Sequence, residues 1–174
     1  MHRLLQKLTG SDRRSIGKSA EVVAAVLAHP ENFGAVFEGM LAEDPILRLR
    51  CADAVEKITA QRPELLLPFK RRLLERVAKI DQPEVRWHVA QMLPRLALTP
   101  RERRASVALL RIFLQDDSRI VRTFAMQALA DLAAQEAKLR GPVIRLLTTL
   151  TRTGSPAMQA RGRKLLVRLQ KFHS

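Results

Sequence analysis

A motif that returns about every 37 residues is the feature of this sequence that most limits its fold. Each copy begins with Asp or Ser, in three copies one or two residues ahead of a Pro, and continues into small apolar residues. The equivalent position of the four copies holds Arg48, Arg86, Arg122 and Gln159, at intervals of 38, 36 and 37 residues. A repeat of this length corresponds to one helical hairpin, and neighbouring hairpins must stack to bury a shared core. The sequence therefore predicts about four stacked hairpins.

The start of each motif predicts where the second helix of a hairpin begins. Asp or Ser caps free backbone amides, and Pro fits the first turn of a helix. Within each copy, apolar residues then fall at i, i+4, i+7 and i+8, which is one face of a helix. We expect about nine helices, with Pro68 and Pro94 kinking or shortening those that contain them. The first helices of the hairpins are predicted at 31–41, 63–79, 100–114 and 139–151, preceded by a helix at 19–29, a loop at 10–18 and a short N-terminal turn or helix.

The repeated pattern D-P-x-V-R-x-x-A-x-x-A-L resembles the HEAT-repeat family over roughly residues 19–174. It is also similar to bacterial HEAT-repeat-domain proteins that have no assigned activity. The resemblance implies an all-α fold, a right-handed α-solenoid (an α-α superhelix) of about four HEAT-type hairpins. It further implies a single domain, 1–174, in which an N-terminal extension, 1–18, precedes repeats at roughly 19–60, 61–98, 99–136 and 137–174.

The resemblance also implies a structural role for the repeated polar positions of the motif. In the HEAT family the repeat Asp and Arg form a ladder between neighbouring repeats. The matching positions in this sequence are Asp44, Asp81 and Asp117 with Arg48, Arg86 and Arg122. The fourth copy departs from the pattern, with Gly154 and Gln159 in these places, as a terminal repeat without a following neighbour can.

The chain is strongly basic, and the charge is uneven. It has 31 Lys and Arg against 17 Asp and Glu, a net charge of +14. This excess favours an anionic partner, nucleic acid first and anionic lipid or an acidic protein next, although an Arg-rich coding bias produces the same composition. A basic cluster at 70–79 lies on a first helix, where a solvated outer surface is the simpler interpretation. The segment 138–174 has no acid and nine basic residues: Lys138, Arg140, Arg145, Arg152, Arg161, Arg163, Lys164, Arg168 and Lys171.

No motif for catalysis, a cofactor or a metal stands out, so we expect a protein that is not an enzyme. Cys51 is the only cysteine and has the spacing of a core thiol. Gly17-Lys18-Ser19 lacks the earlier Gly and the strand of a phosphate-binding loop, and Ser19 is better explained as a helix cap. The four histidines are scattered. HEAT-like alkylpurine DNA glycosylases are a distant architectural parallel, but Trp87 alone supplies too few aromatic residues for their type of pocket.

Two candidate surfaces follow from placing the second helices on the concave face. Aligned positions there predict a partner-binding strip, although core packing explains Trp87 equally well and is slightly favoured for Phe124. The strip consists of Arg50, Trp87, His88, Gln91, Arg95, Phe124 and Gln127. In the basic last repeat, Arg161, Lys164 and Arg168 are the predicted contacts for an anion or nucleic acid.

These observations favour a noncatalytic scaffold or adaptor that binds a protein partner on its concave face. The alternatives are nonspecific binding of the phosphate backbone by the basic last repeat and, less favoured, a HEAT-like DNA glycosylase. Because the N-terminus lacks a signal peptide and no apolar run approaches the ~18 residues of a membrane span, we expect a cytoplasmic monomer without a membrane partner.

Overall fold

The computed structural model of the protein describes residues 1–12 and 14–172, and every regular element in them is helical. The chain forms two compact units, Met1–Ala97 and Leu98–Ser174. The boundary between them lies within one residue of the predicted end of the second repeat. Ten α-helices are present in the described residues, against about nine expected, and four short 3₁₀ helices join them.

The first unit contains six α-helices, and prolines shorten the last two of them. They are α1 (Arg3–Gln6), α2 (Ser19–Ala28), α3 (Phe33–Gly39), α4 (Pro45–Gln61), α5 (Lys70–Glu75) and α6 (Pro83–Met92). The segment predicted as one helix at 63–79 is instead a 3₁₀ helix, Pro63–Phe69, then α5, then a 3₁₀ helix, Val77–Lys79. Pro68 lacks the amide that an α-helix needs at that point, and Pro94 likewise lies in a 3₁₀ helix, Leu93–Arg95, after α6. The predicted shortening at both prolines is confirmed.

The second unit is a set of four longer helices. They are α7 (Pro100–Phe113), α8 (Arg119–Gln135), α9 (Ala137–Thr153) and α10 (Pro156–Gln170). Helix α8 packs against α7, α9 and α10, and α9 packs against α10. Gly162 allows the last two helices to approach closely, because a Cβ at that position would lie 1.9 Å from Thr151 Oγ1.

The second helix of every hairpin begins where the motif predicts. Asp44 caps α4 by accepting a hydrogen bond from the amide of Ile46 at 2.9 Å. Ser118 and Ser155 accept from main-chain amides in the same way at the starts of α8 and α10. Each cap satisfies a helix amide that has no partner within the helix. The local signals of the sequence therefore place these helices correctly.

The second helices supply much of the core of each unit, together with large side chains of the first helices such as Phe37 and Phe113. In the first unit α4 is buried along most of its length and packs against α2, α3 and α6. Cys51 is buried in this core, which confirms the prediction of a core thiol, and burial raises the pKa of the thiol to about 12. In the second unit α8 buries a continuous face that includes Val121, Ala125 and Leu129.

Candidate binding surfaces

Side-chain bonds join neighbouring second helices at separations close to one repeat. Ser19 donates to Asp53 at 2.5 Å, joining α2 to α4 across 34 residues. Arg48 donates to Gln82 at 2.9 Å, again across 34 residues. In the second unit Arg161 donates to Gln127 at 2.8 Å across the same separation. The polar positions of the motif therefore act mainly between hairpins within each unit.

The Asp–Arg ladder implied by the family resemblance has a different form in this chain. Asp81 pairs with Arg86 at 2.9 Å, but this ion pair lies within one motif. The link between repeats passes through the buried amide of Gln82, which is 4% exposed, accepts from Arg48 and donates to the carbonyl of Pro45 at 2.9 Å. An amide suits this place because it offers a donor and an acceptor and carries no charge to desolvate.

Arg50 was predicted to contact a partner, but it is buried. Its side chain is 3% exposed. The guanidinium donates to the carbonyls of Leu8, Thr9, Asp12 and Ser15 at 3.0, 2.6, 2.9 and 2.9 Å. These bonds hold the N-terminal segment on α4. They use guanidinium N–H groups of Arg50 that a partner would otherwise have to bind. Arg50 is therefore a structural residue of the first unit and is left out of the surfaces considered below.

Two glycines allow the N-terminal segment to close around Arg50. Gly10 and Gly17 have φ angles of +145° and +59°, which other residues adopt only with strain. A Cβ on Gly10 would lie 2.7 Å from the Arg50 guanidinium. The Gly17-Lys18-Ser19 sequence forms a turn that leads into α2, but the prediction that Ser19 caps this helix is wrong. Lys18 is at the N-cap position without a side-chain cap bond, and the Ser19 hydroxyl donates to Asp53 instead.

Trp87 and His88 lie side by side on α6, with ring centroids 5.6 Å apart. His88 is 9% exposed, and burial lowers its pKa to about 4, with the charges of Asp53 and Glu56 partly opposing that shift. His88 is therefore neutral near pH 7. Trp87 is only half-buried, and Gln91 donates to its carbonyl at 3.3 Å. Of this group, Trp87 is the large side chain that reaches solvent.

Arg95 is fixed by contacts to α4. Its guanidinium donates to the carbonyl of Glu56 at 2.8 Å and to Thr59 Oγ1 at 3.0 Å, and it also pairs with the carboxylate of Glu56. Arg95 thus presents a guanidinium already bound to a carboxylate, and its charge is largely neutralised at this surface.

Charged and polar groups of α8 hold two of the three predicted anion contacts in the second unit. Asp131 pairs with Arg168 at 2.6 Å and also accepts from Gln127 at 3.0 Å. Gln127 in turn accepts from Arg161. Lys164, in contrast, is exposed. Phe124, the other aromatic residue of the predicted strip, is half-buried on α8. The last repeat contains no acid, yet two of its cations, Arg161 and Arg168, obtain partners from α8.

The second unit carries most of the net positive charge of the chain. Residues 98–174 contain 15 Lys and Arg against 5 Asp and Glu, a net charge of +10 out of +14. Three of these cations, Lys138, Arg145 and Arg152, are exposed along α9. They belong to the acid-free segment noted in the sequence, but their shared helix face was not predicted. Their spacing of seven residues is the signal that identifies it.

Comparison with known proteins leaves the family of this chain open. A scan against family models finds no match, and a search of curated proteins finds no relative. In the described part of the chain, no group of His, Cys, Asp and Glu could hold a metal ion. Within the same residues, no helix combines the length and apolar character needed to cross a bilayer.

Proposed function

We propose that the chain is a noncatalytic, HEAT-type helical-repeat scaffold that binds a protein partner through the face formed by its second helices. The observation that carries this proposal is the series of side-chain bonds between second helices at separations of about one repeat. Such bonds fix the spacing of neighbouring hairpins, so their outer positions form a preorganised surface. Preorganisation lowers the entropy lost on binding.

Trp87 is the proposed centre of the contact in the first unit. It is half-buried and rests beside His88, while Gln91 and Arg95 are held by internal hydrogen bonds around it. Tryptophan is enriched among residues that dominate binding energy, because it buries a large area at a small cost in side-chain entropy. Phe124 offers a similar half-buried aromatic group in the second unit.

The test compares Trp87→Ala with a matched loss of apolar surface on a first helix. Ile112 on α7 is 64% exposed, so Ile112→Ala removes an apolar side chain outside the proposed face. Tagged wild-type and variant proteins are used to capture partners from an extract of the source cells, with chemical crosslinking and mass spectrometry. We expect Trp87→Ala to lose a partner that wild type and Ile112→Ala retain.

An equal set of captured partners for all three proteins would contradict the proposal. Arg95→Glu is a poor probe of the same face, because it would place two carboxylates together at Glu56 and disturb the fold. Trp87→Ala avoids this difficulty, since the residue lies at the surface and donates no side-chain hydrogen bond among those described for the chain.

A further inference from the structure

Helix α9 carries three exposed cations on one face, opposite the side that it buries. Lys138, Arg145 and Arg152 are separated by seven residues, which is nearly two full helical turns. The buried residues of the helix, Val143 and Leu147, lie on the other side. The three cations therefore form a straight row, which we call the α9 stripe. At a rise of 1.5 Å per residue it spans about 21 Å.

The α9 stripe is not neutralised by acids, whereas two members of the basic cluster at 70–79 are. There Arg71 pairs with Glu75, and Arg72 pairs with Glu38. Among the described residues, no hydrogen bond or ion pair engages the side chains of the α9 stripe. The one carboxylate that serves the last two helices from α8, Asp131, is used by Arg168.

Small residues separate the cations of the stripe, so a flat or ridged surface can approach the helix closely. Gly141 lies between the first two cations, and Thr148 and Thr149 lie between the second and third. Both threonine hydroxyls donate to carbonyls of their own helix, at 2.8 and 3.3 Å, and add little bulk. Helix α7 also carries two exposed arginines seven residues apart, Arg104 and Arg111, with the exposed Ala108 between them.

From this arrangement we infer that the α9 stripe binds the phosphate backbone of a nucleic acid duplex. A duplex carries one negative charge per about 1.7 Å of its axis, so a row about 21 Å long meets about a dozen charges. Backbone contact of this type is independent of base sequence. The stripe is distinct from the predicted set of Arg161, Lys164 and Arg168, two members of which are held by α8.

The chemistry of the stripe favours nucleic acid over a membrane surface. Binding in a bilayer interface requires large apolar side chains beside the cations. None of the exposed large apolar residues in the described chain belongs to α9. The inference goes beyond the proposed protein partner and does not depend on it.

The experiment measures the salt dependence of binding by the full chain. The probes are fluorescein-labelled 20-base-pair DNA and RNA duplexes, and the readout is fluorescence anisotropy between 50 and 200 mM salt. The test protein is Lys138→Gln/Arg145→Gln/Arg152→Gln. The control is Arg14→Gln/Arg76→Gln/Lys79→Gln, which removes the same charge from exposed positions of the first unit. All six residues are exposed, and circular dichroism and thermal melting verify that both triple variants remain folded.

We expect the test protein to lose the salt dependence that its three contacts supply. Each phosphate contact contributes a slope of about −0.9 in log K against log salt, so the slope of the DNA complex should fall by about 2.7. Equivalently, the ratio of affinities at 50 and 200 mM should shrink by about 40-fold. The slope of the control protein should differ from the wild-type slope by no more than about 0.9, the contribution of one contact.

Three results would overturn the inference. The first is that wild type binds neither duplex at 50 mM salt. The second is an equal loss of slope in the control, which would mean that net charge alone governs binding. The third is that the test protein loses binding to phosphatidylserine vesicles while its binding to the duplexes is unchanged. That result would assign the stripe to a lipid surface. Since capture of a protein partner through Trp87 is measured separately, failure of one proposal leaves the other standing.

Discussion

Replacing Arg50 with Ala removes the guanidinium that holds the N-terminal segment on α4. The side chain makes four hydrogen bonds to main-chain carbonyls from a site that is 3% exposed. A hydrogen bond to a charged group contributes about 1.5–3 kcal/mol, which sets an upper limit of about 6–12 kcal/mol. The cost of burying the charge, several kcal/mol, is recovered in the variant, and the freed carbonyls reach water once the segment detaches. We expect a net loss of about 3 kcal/mol.

The assay for this variant combines thermal melting with limited trypsin digestion. A loss of about 3 kcal/mol lowers the midpoint by about 6–12 °C for a chain of this size. Detachment of the segment should also let the chain at Lys7, Arg14 and Lys18 enter the trypsin active site in an extended form, so digestion there should precede digestion elsewhere. Arg50→Lys keeps the charge but has fewer donors in a compact group, and we expect an intermediate loss.

Arg161→Ala is the matched control, because Arg161 occupies the equivalent position of the fourth repeat. Its guanidinium is half-buried and donates to one glutamine, so the expected loss is below about 1 kcal/mol. If Arg50→Ala melts within 1 °C of wild type and shows no early cleavage near the N-terminus, the structural role assigned to Arg50 is refuted.

Three further predictions address the polar and small residues of the core. Burial lowers the folded-state pKa of His88 to about 4 from 6.5, so the unfolded chain takes up the proton first as the pH falls. The stability that depends on neutral His88 is complete above pH 6.5. The free energy of unfolding, measured with urea, should fall by up to about 3 kcal/mol as the pH drops toward 4. His88→Gln should make the free energy of unfolding less dependent on pH in this range than it is in wild type. Gly162→Ala should cost about 1–3 kcal/mol in the same assay, because the added Cβ would overlap Thr151 Oγ1, and the addition of Thr151→Ala should restore most of the loss. A deficit that survives the second substitution would point to another cause. Gln82→Ala should lower the free energy of unfolding by about 2 kcal/mol, because it leaves buried partners unpaired. A double-mutant cycle with Arg48→Ala should give a coupling energy above about 0.5 kcal/mol. Additive effects of the two substitutions would argue against the bond between these residues.

The helices themselves could be predicted from short stretches of sequence. Asp44, Ser118 and Ser155 identify helix starts because capping depends on atoms only two or three residues away. The prolines at 68 and 94 likewise act locally, and both shorten their helices. The predicted 63–79 helix was too regular, since its three elements have boundaries that the apolar spacing alone does not reveal.

The candidate surfaces were harder to predict, because the availability of a charged group depends on partners far along the chain. Arg50 has the same position in its repeat as the half-buried Arg161, yet its guanidinium is bound by the carbonyls of Leu8, Thr9, Asp12 and Ser15, about 40 positions earlier. Arg168 belongs to an acid-free segment, but Asp131 neutralises it from another helix. The amino-acid composition does not distinguish these paired cations from free ones.

By itself, the sequence determined the all-helical class, the starts of the second helices and the buried face of each, because capping and helical periodicity act within a few residues. Only the tertiary structure decided which polar side chains remain free. Packing brought Gln82 to Arg48, and Glu56 to Arg95, so these groups hold the fold together. The same packing left the α9 stripe without acidic partners. The physical reason is that desolvation and pairing depend on three-dimensional neighbours, which a repeat pattern in one dimension does not specify.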